Sequence, residues 1–438
     1  MRILHLYRTY FPDTIGGIEQ SIRQIALSTQ RHGVESRVFT LTRTGAGGVD
    51  IYPEAEVVRA RSRVAPGGCD IGGPAAVNAF RRAAQDADVV HVHFPWPFAD
   101  FLVRLLGRYK PCVMTYHSDV VGKGVAGIAY RPFAMAALRR ADRVVVTSPN
   151  YRLTSPVLKA YMKRSAPDLE RLEVIPLGIC EASSRQSVAA ARTLDSRARF
   201  GLAESPFLLF LGGLRGYKGL NTLMEAVRHT AIPLVIAGDG DRELVAPLTQ
   251  LSREQRAVHW LGAVTDAEKM ALLRDCAGVV LPSDKRSEAF GLILVEAAMT
   301  GRPMISCEIG TGTSWVNRDG ETGIVVPPGN ADALRAAMQN LLDDPALAQS
   351  LGQAARLRYE RLFSGEALGV AYADLYRQLA PGACRPAWPG LESQEFKRID
   401  PLVTPRSISG AISGAEQATG HAAHAPCEAR RSEPRARV

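Results

Sequence analysis

The chain has 438 residues, of which 46% are hydrophobic and 22% are charged, values that exclude a collagenous, coiled-coil or mostly disordered protein and leave room for two or three soluble domains. The formal net charge of +9 lies wholly in residues 1 to 180, which hold 24 basic and 15 acidic side chains, whereas the remaining residues hold 29 of each. This asymmetry predicts an anionic partner for the first part: a nucleic acid, a phosphorylated substrate or a lipid surface.

The first part alternates short apolar runs with helical patterns. A strand-like run at residues 1 to 7 leads through Gly16-Gly17 to a helical pattern at 18 to 33. Further strands are predicted at 36 to 41, 88 to 94, 112 to 116 and 143 to 147, with helices at 75 to 87 and 98 to 109. This alternation predicts a parallel sheet that is covered on both faces.

The same pattern starts again in the second part. A weakly structured stretch is expected at residues 181 to 202, and a hinge is expected near residues 176 to 202. Strands are then predicted at 206 to 211, 233 to 237, 258 to 261, 278 to 281 and 303 to 306, and helices at 220 to 229, 266 to 275 and 292 to 300. Two doubly wound units place a ligand cleft between the carboxyl ends of two sheets.

The last third contains helices and then a tail. Residues 331 to 379 have helical patterns with a break at Asp343-Asp344-Pro345, and the residues from 381 onward are rich in Pro, Gly, Ser, Ala and Arg without apolar periodicity. We expect that tail to be disordered. The seven cysteines never have CxxC spacing, which favours a reducing compartment, and neither a signal peptide nor a membrane-spanning run is recognised.

Two glutamates eight positions apart form the most specific motif. Glu288 falls in a loop before a predicted helix, and Glu296 follows eight positions later, within that helix. A carboxylate there can accept hydrogen bonds from sugar hydroxyls, and the free amides of Phe290, Gly291, Leu292 and Ile293 can bind an anionic phosphate. From the spacing alone, a capping acid followed by an ordinary helical glutamate is an equally good interpretation.

This segment, with the run from Ala297 to Ile305, resembles the signature of family-4 retaining glycosyltransferases of the GT-B fold. The Gly16-Gly17-Ile18-Glu19 loop, residues 210 to 220 and residues 322 to 329 resemble three further motifs of that family in the same order. The resemblance implies an α/β protein with two Rossmann-like doubly wound domains facing a central cleft. It implies an acceptor-binding domain at 1 to 180, a nucleotide-sugar domain at 203 to 360, a closing helix at 361 to 380 and a tail at 381 to 438.

The resemblance also assigns roles to individual residues. Gly16 and Gly17 would let a diphosphate approach the backbone, and Lys218 would neutralise the leaving diphosphate together with Arg215. The family usually has an arginine where this chain has Gly213, so Arg215, two positions later, is inferred to substitute for it.

The roles implied for the cleft complete the predicted site. His117 would lie beside the reacting sugar, Asp119 would contact the acceptor, Glu288 would bind the sugar, and Glu296 would bind the ribose of the nucleotide. Without the family, His117 is better interpreted as a structural histidine at the end of a strand.

No metal site and no cofactor are predicted. His91 and His93 alternate on one strand without a third ligand at a convincing spacing, so we interpret them as structural. Two Asp-x-Asp triplets, at 86 to 88 and 239 to 241, are interpreted as turns.

The resulting functional prediction is a retaining, metal-independent transfer of a mannose-like or rhamnose-like hexose to a lipid-linked glycan of the O-antigen type. A GDP-linked donor is favoured and a UDP-linked donor is possible. The expected location is cytoplasmic and peripheral at an anionic membrane surface, because residues 130 to 138 form an apolar helical stretch bordered by arginines, although a solvated helix face is the alternative. Nucleic acid is not expected. A sugar-nucleotide epimerase and a non-catalytic binding protein remain as alternative functions.

Overall fold

The computed structural model describes residues 1–45, 47–106, 109–120, 124–163, 170–181 and 185–383. Two β-sheets belong to one compact unit, Met1–Pro386. The predicted tail lies outside the described residues, except for positions 381 to 383.

The first sheet has nine strands among the described residues, in the order β3-β4-β2-β1-β6-β7-β8-β9, with β5 paired to β4. All neighbours are parallel except the pairs β3–β4 and β4–β5. Strands β6 and β7 are buried along their whole length, as expected for a sheet with helices on both faces. The strands are β1 Arg2–Leu6, β2 Glu35–Thr42, β3 Gly48–Ile51, β4 Glu56–Val64, β5 Ile71–Gly72, β6 Val89–Phe94, β7 Cys112–Tyr116, β8 Arg143–Val146 and β9 Leu172–Val174.

The second sheet is parallel throughout its described pairs. Its order, β12-β11-β10-β13-β14-β15, is the doubly wound order 3-2-1-4-5-6, in which the strand sequence reverses between β10 and β13. The strands are β10 Leu208–Leu211, β11 Leu234–Ala237, β12 Val258–Gly262, β13 Gly278–Leu281, β14 Met304–Cys307 and β15 Gly323–Val326.

Helices cover both sheets. Those of the first part are α1 Gly17–Gln30, α2 Pro74–Gln85, α3 Pro97–Leu105, α4 Gly124–Arg140, α5 Pro149–Thr154 and α6 Pro156–Met162. Those of the second part are α7 Arg185–Arg192, α8 Ser196–Phe200, α9 Leu220–Val227, α10 Arg242–Glu254, α11 Asp266–Asp275, α12 Leu292–Met299, α13 Thr313–Val316, α14 Ala331–Asp343, α15 Pro345–Leu362 and α16 Gly365–Leu379. The break at Asp344 is confirmed, because its side chain caps α15.

The prediction of a weakly structured stretch between 181 and 202 is wrong for its described part. Helices α7 and α8 occupy it, and the Asp195 carboxylate caps α8 by accepting from the amides of Arg197 and Ala198. A high density of Ala, Ser and Arg suggested an irregular segment, but these residues suit short helices once an N-cap is present.

The chain crosses between the two sheets at two adjacent places. Ile179 donates its amide to the carbonyl of Phe363 at 2.9 Å, so the outward and returning crossings lie side by side. The returning helix α16 begins at Gly365 rather than at 361, because α15 continues to Leu362. It packs on α1, which places the C-terminal helix on the first sheet. The domain boundaries at 180 and 203 stay predictions.

Candidate active site

The predicted site residues lie in the loops after β1, β7, β10 and β13 or in the helices that follow these loops, and the loops all leave the carboxyl ends of their strands. The two sheets meet at the same ends. Asn150 of α5 donates to the Ser314 hydroxyl of α13 at 3.2 Å, and Thr154 donates to the carbonyl of Gly310 at 2.5 Å. Because β10 and β13 are neighbours at the point where the strand order reverses, the second sheet presents its site at the place where such folds bind ligands.

Lys218 and Glu288 form an ion pair at that point. The Lys218 Nζ lies 2.8 Å from Glu288 Oε2, and only 14% and 12% of the two side chains are exposed. The hydroxyl of Ser283 donates to the same carboxylate oxygen at 3.4 Å. Burial acts most strongly on the Lys218 cation and disfavours it, but the Glu288 carboxylate and Tyr217 together outweigh burial, so the pKa of Lys218 is raised and the cation is maintained.

Arg215 lies apart from this pair. Its guanidinium is 56% exposed and donates to Asp241 Oδ1 at 2.6 Å. Between the two ion pairs lies Tyr217, whose pKa is raised first by burial and then by the Glu288 carboxylate. Sequence reasoning assigned no role to Tyr217, although its position beside Lys218 in the loop was a usable signal. The predicted contact of Arg215 with a diphosphate stays a prediction.

The residues after Glu288 contribute backbone rather than side chain. Phe290 is 3% exposed and packs against Trp315 and Phe363 in the core. Gly291 has φ +81°, a conformation that glycine adopts without strain, and it begins α12. Within the described parts of the chain no group accepts from the amides of Phe290, Gly291 or Leu292, so this helix start offers free donors to an anion.

Glu296 lies on the same helix and is paired with Lys269 of α11. The two charged atoms are 2.8 Å apart, and Asp266 lies 3.4 Å from the same ammonium. Burial opposes the charge on Lys269, but the carboxylates prevail and its pKa is raised. A cavity beside this pair is also lined by Gln20 and Gln24 of α1, so Glu296 faces the first sheet's side of the cleft. Sequence reasoning missed Lys269 because an isolated lysine carries no motif.

The glycine loop of the first sheet is organised by Glu19. This carboxylate is buried at 4% exposure, and one of its oxygens accepts from Thr9 at 2.7 Å and from Thr14 at 2.6 Å. A Cβ on Gly16 would lie 2.5 Å from the other oxygen, whereas a Cβ on Gly17 would meet nothing within 4 Å. Gly16 therefore allows the loop to close on Glu19, and Gly17 faces open space.

His117 directly follows β7 and is buried at 4% exposure. Its amide donates to the carbonyl of Phe94 at 3.2 Å, and its Nε2 lies 3.0 Å from Nδ1 of His93. Burial lowers the pKa of His117 to about 3, so the ring is neutral.

Asp119 is held by protein donors. Its Oδ1 accepts from the hydroxyls of Tyr116 at 2.9 Å and Ser155 at 2.5 Å, and its Oδ2 lies 3.3 Å from a guanidinium nitrogen of Arg286. Since Arg286 belongs to the loop after β13, Asp119 links the two sheets. Its predicted contact with the acceptor stays a prediction.

His91 and His93 belong to a buried histidine cluster. The ring nitrogens of His5, His91 and His93 include three atoms within 4.8 Å of one another, close enough for a metal ion. However, His91 already bonds Thr115 and Tyr376, each at 2.7 Å, and His93 bonds His5 and His117. These partners favour a hydrogen-bonded cluster.

The two Asp-x-Asp triplets lie in connections. The first joins α2 to β6, and Asp88 accepts from the amide of Arg2 at 2.8 Å. The second follows β11, and Asp239 accepts from the amide of the next residue at 2.7 Å. Independence from metal ions stays a prediction.

Comparison with known proteins identifies the family. Residues 194–358 match the family described as Glycosyl transferases group 1, and residues 15–182 match Glycosyltransferase Family 4. The chain is 42% identical over 368 residues to D-rhamnosyltransferase WbpZ of Pseudomonas aeruginosa, covering 83% of this chain and 92% of that one. It is 35% identical over 379 residues to O-antigen chain mannosyltransferase C of Escherichia coli, covering 86% and 99%.

Solved structures agree on the fold. Sucrose-phosphate synthase from Thermosynechococcus elongatus superposes with a TM-score of 0.68 at 24% identity, covering 86% of this chain and 98% of that one. Anabaena Alr3699/HepE in complex with UDP and glucose superposes with a TM-score of 0.66 at 18% identity, covering 86% and 99%. The predicted GT-B fold is thereby confirmed. The chain belongs to the group 1 glycosyltransferases, and it is a glycosyltransferase.

Proposed function

We propose that the protein transfers a mannosyl or rhamnosyl unit from a nucleotide sugar to a lipid-linked glycan in O-antigen synthesis, with retention of configuration and without a metal ion. The observation that carries this proposal is the buried Lys218–Glu288 pair beside the free amides that begin α12. The names of the rhamnosyl and mannosyl relatives support the sugar class.

The arrangement suits departure of a nucleoside diphosphate. Lys218 is a maintained cation, and together with the amides of Gly291 and Leu292 it stabilises the charge that grows on the leaving group. Glu288 accepts hydrogen bonds from sugar hydroxyls, and Glu296 accepts from the ribose. The leaving diphosphate takes the proton of the incoming hydroxyl on the same face of the sugar, so no separate carboxylate base is required.

The donor is proposed to be GDP-linked, with a UDP-linked donor as the alternative. A thermal-shift measurement with GDP, UDP, ADP and dTDP tests this choice. A ligand that binds only the folded state stabilises it by about 2.7 kcal/mol at a hundredfold excess over Kd. GDP is expected to give the largest rise in Tm. A larger rise with UDP would assign the alternative donor, and the absence of a rise with every nucleotide would contradict nucleotide-sugar binding.

A basic and apolar surface on α3 and α4 is proposed to hold the protein at an anionic membrane on its cytoplasmic side. Three large apolar side chains project there, with Phe101 at 50%, Leu105 at 40% and Phe133 at 63% exposure. Arg104 and Arg131 belong to the same helices. None of the described helices is both long and apolar enough to cross a bilayer.

Sedimentation with vesicles tests this membrane contact. The protein is expected to sediment with vesicles of an anionic lipid at low salt and to dissociate at high salt, because exposed charges are screened. A Phe101→Ser/Phe133→Ser variant is expected to sediment less, whereas Val370→Ser, at an exposed apolar position on α16, serves as the control. An unchanged distribution for the double variant would contradict the proposed surface.

A further inference from the structure

A row of hydrogen-bonded side chains runs through the first sheet and ends at His117. His117 Nε2 lies 3.0 Å from His93 Nδ1, and His93 Nε2 lies 3.0 Å from His5 Nδ1. At the far end, His5 Nε2 lies 3.3 Å from the hydroxyl of Ser36. The row therefore crosses from β2 through β1 and β6 to the loop after β7.

The three rings are neutral. Burial lowers the pKa of His5 and of His117 to about 3, and it lowers the pKa of His93 well below its ordinary value. A neutral imidazole has one N–H group and one nitrogen lone pair, and each hydrogen bond between two rings needs one of each. The tautomer of one ring therefore determines the tautomers of the other two.

Only two arrangements satisfy both inter-ring bonds. In one, the Ser36 hydroxyl donates to His5, His5 donates to His93, His93 donates to His117, and Nδ1 of His117 carries a proton. In the other, every bond is reversed and Nδ1 of His117 presents a lone pair. When the Ser36 hydroxyl donates to the row, Nδ1 of His117 is therefore a donor, and when that hydroxyl accepts from the row, Nδ1 of His117 is an acceptor.

The surroundings hold the row in position. His91 packs on His93 with ring centroids 4.2 Å apart, while its own nitrogens bond Thr115 and Tyr376. His91 is thus a neighbour of the row but not a member of it. Because Tyr376 lies on α16, the C-terminal helix contributes to the packing that fixes His93.

We propose that His5 and His93 are positioning residues that fix the ring orientation of His117 and tie the hydrogen-bonding sense of its Nδ1 to Ser36. This inference rests on the proposed function, in which His117 contacts the donor sugar. The row gives the site a neutral imidazole, that of His117. Whether its Nδ1 donates to a sugar hydroxyl or accepts from one is set at Ser36 on β2.

Two substitutions of His93 separate positioning from packing. The side-chain amide of asparagine reaches about as far from the backbone as Nδ1 of histidine does. The side-chain amide of glutamine reaches about as far as Nε2 does. His93→Asn therefore keeps a partner for His117, and His93→Gln keeps a partner for His5 only. Both remove the same ring from the same core position, so we expect similar losses in Tm. We expect kcat to be about tenfold lower in His93→Gln than in His93→Asn, the effect of one lost neutral hydrogen bond.

Thr40→Val provides a control on the same strand as Ser36. The Thr40 hydroxyl is buried and has no hydrogen-bond partner in the described structure, so kcat should not change. Equal kcat values for His93→Asn and His93→Gln at equal Tm would overturn the inference, because packing alone would then explain the row.

A measurement without substrate distinguishes this inference from the proposed function. In protein with 15N-labelled histidines, couplings across the hydrogen bonds should connect His5 with His93 and His93 with His117. Absence of both couplings would show that the rings are not hydrogen-bonded to one another, and it would overturn the inference regardless of which sugar the enzyme transfers. Both couplings in the native protein, together with full turnover in the His117→Ala variant, would instead contradict the role of His117 in the proposed function, and with it the positioning inference.

Discussion

The carboxylate of Asp119 and the guanidinium of Arg286 lie 3.3 Å apart and join the loops of the two sheets, with 9% and 28% of the side chains exposed. Arg286 also donates to the carbonyl of Gly310 at 2.8 Å and lies over the ring of Tyr151, 5.0 Å from its centroid. Since Arg286 precedes Glu288 by two residues, this contact connects the loop after β7 to the loop that carries Glu288, the proposed donor-binding glutamate.

A double-mutant cycle measures this connection. Asp119→Asn and Arg286→Gln each remove one charge, and we expect each to lower kcat, with a coupling free energy of about 1 kcal/mol because the pair is partly buried. The measurement is kcat/KM for both single variants and the double variant. Arg318→Gln, which breaks a more exposed pair with Glu321, is the control. Strictly additive effects would show that the pair does not link the two loops during turnover.

Lys218 and Arg215 are expected to differ in their effects on catalysis. Lys218→Met should lower kcat by about a hundredfold, since a buried cation aimed at a leaving diphosphate contributes about 3 kcal/mol. Arg215→Met should lower it less than tenfold, because that guanidinium is mostly exposed and already bonds Asp241. Steady-state transfer rates check both values.

Lys285→Met, at an exposed position in the loop of Glu288, is the matched control. A loss in Arg215→Met as large as that in Lys218→Met would mean that Arg215 takes the place of the arginine that is absent at Gly213. An unchanged rate in Lys218→Met would contradict the assigned role of the ion pair.

Asp100 makes stability depend on pH. Burial raises its pKa to about 7, against the effect of a hydrogen bond from Tyr130. Between about pH 4 and pH 7 the folded state then binds more protons than the unfolded state, so the free energy of unfolding falls as pH rises, by up to about 1.4 kcal/mol per unit. Above the pKa of Asp100 in the folded state, the ionisation of this group no longer changes the free energy of unfolding.

Asp100→Asn removes the ionisation and keeps an acceptor for Tyr130. The Tm of the variant minus the Tm of the native chain should therefore rise from pH 4 to pH 8. Thermal unfolding of both proteins at several pH values measures this difference. Gln353→Ala, at an exposed position on α15 without an ionisable group, should give a constant difference. A constant difference for Asp100→Asn as well would contradict the raised pKa.

Much of the fold could be predicted because the central strands are continuous apolar runs. Strand β4 was missed because arginines alternate with small and apolar residues along it. Arg59, the first of them, is nevertheless only 8% exposed in its side chain, because it bonds Asp50 and Asp13. The two ion pairs compensate for burying the charge of Arg59, and the local sequence pattern does not reveal these partners.

Sequence motifs identified Lys218 and Glu288 as candidate site residues, and the structure pairs them, while their roles in catalysis stay predictions. Arg286 and Lys269 were missed because their carboxylate partners are far away in sequence, 167 residues for Asp119 and 27 for Glu296. The histidine row was missed for the same reason, since His5 and His93 become neighbours only through the pairing of β1 with β6.

The most direct test is transfer itself. The purified protein is incubated with GDP-linked mannose or rhamnose and a lipid-linked glycan acceptor, with and without a metal chelator, and the product is analysed by mass and by the configuration of the new glycosidic bond. We predict a product longer by one sugar, with the anomeric configuration of the donor, formed at the same rate in chelator. No transfer from any nucleotide-linked hexose, or a product of inverted configuration, would contradict the account.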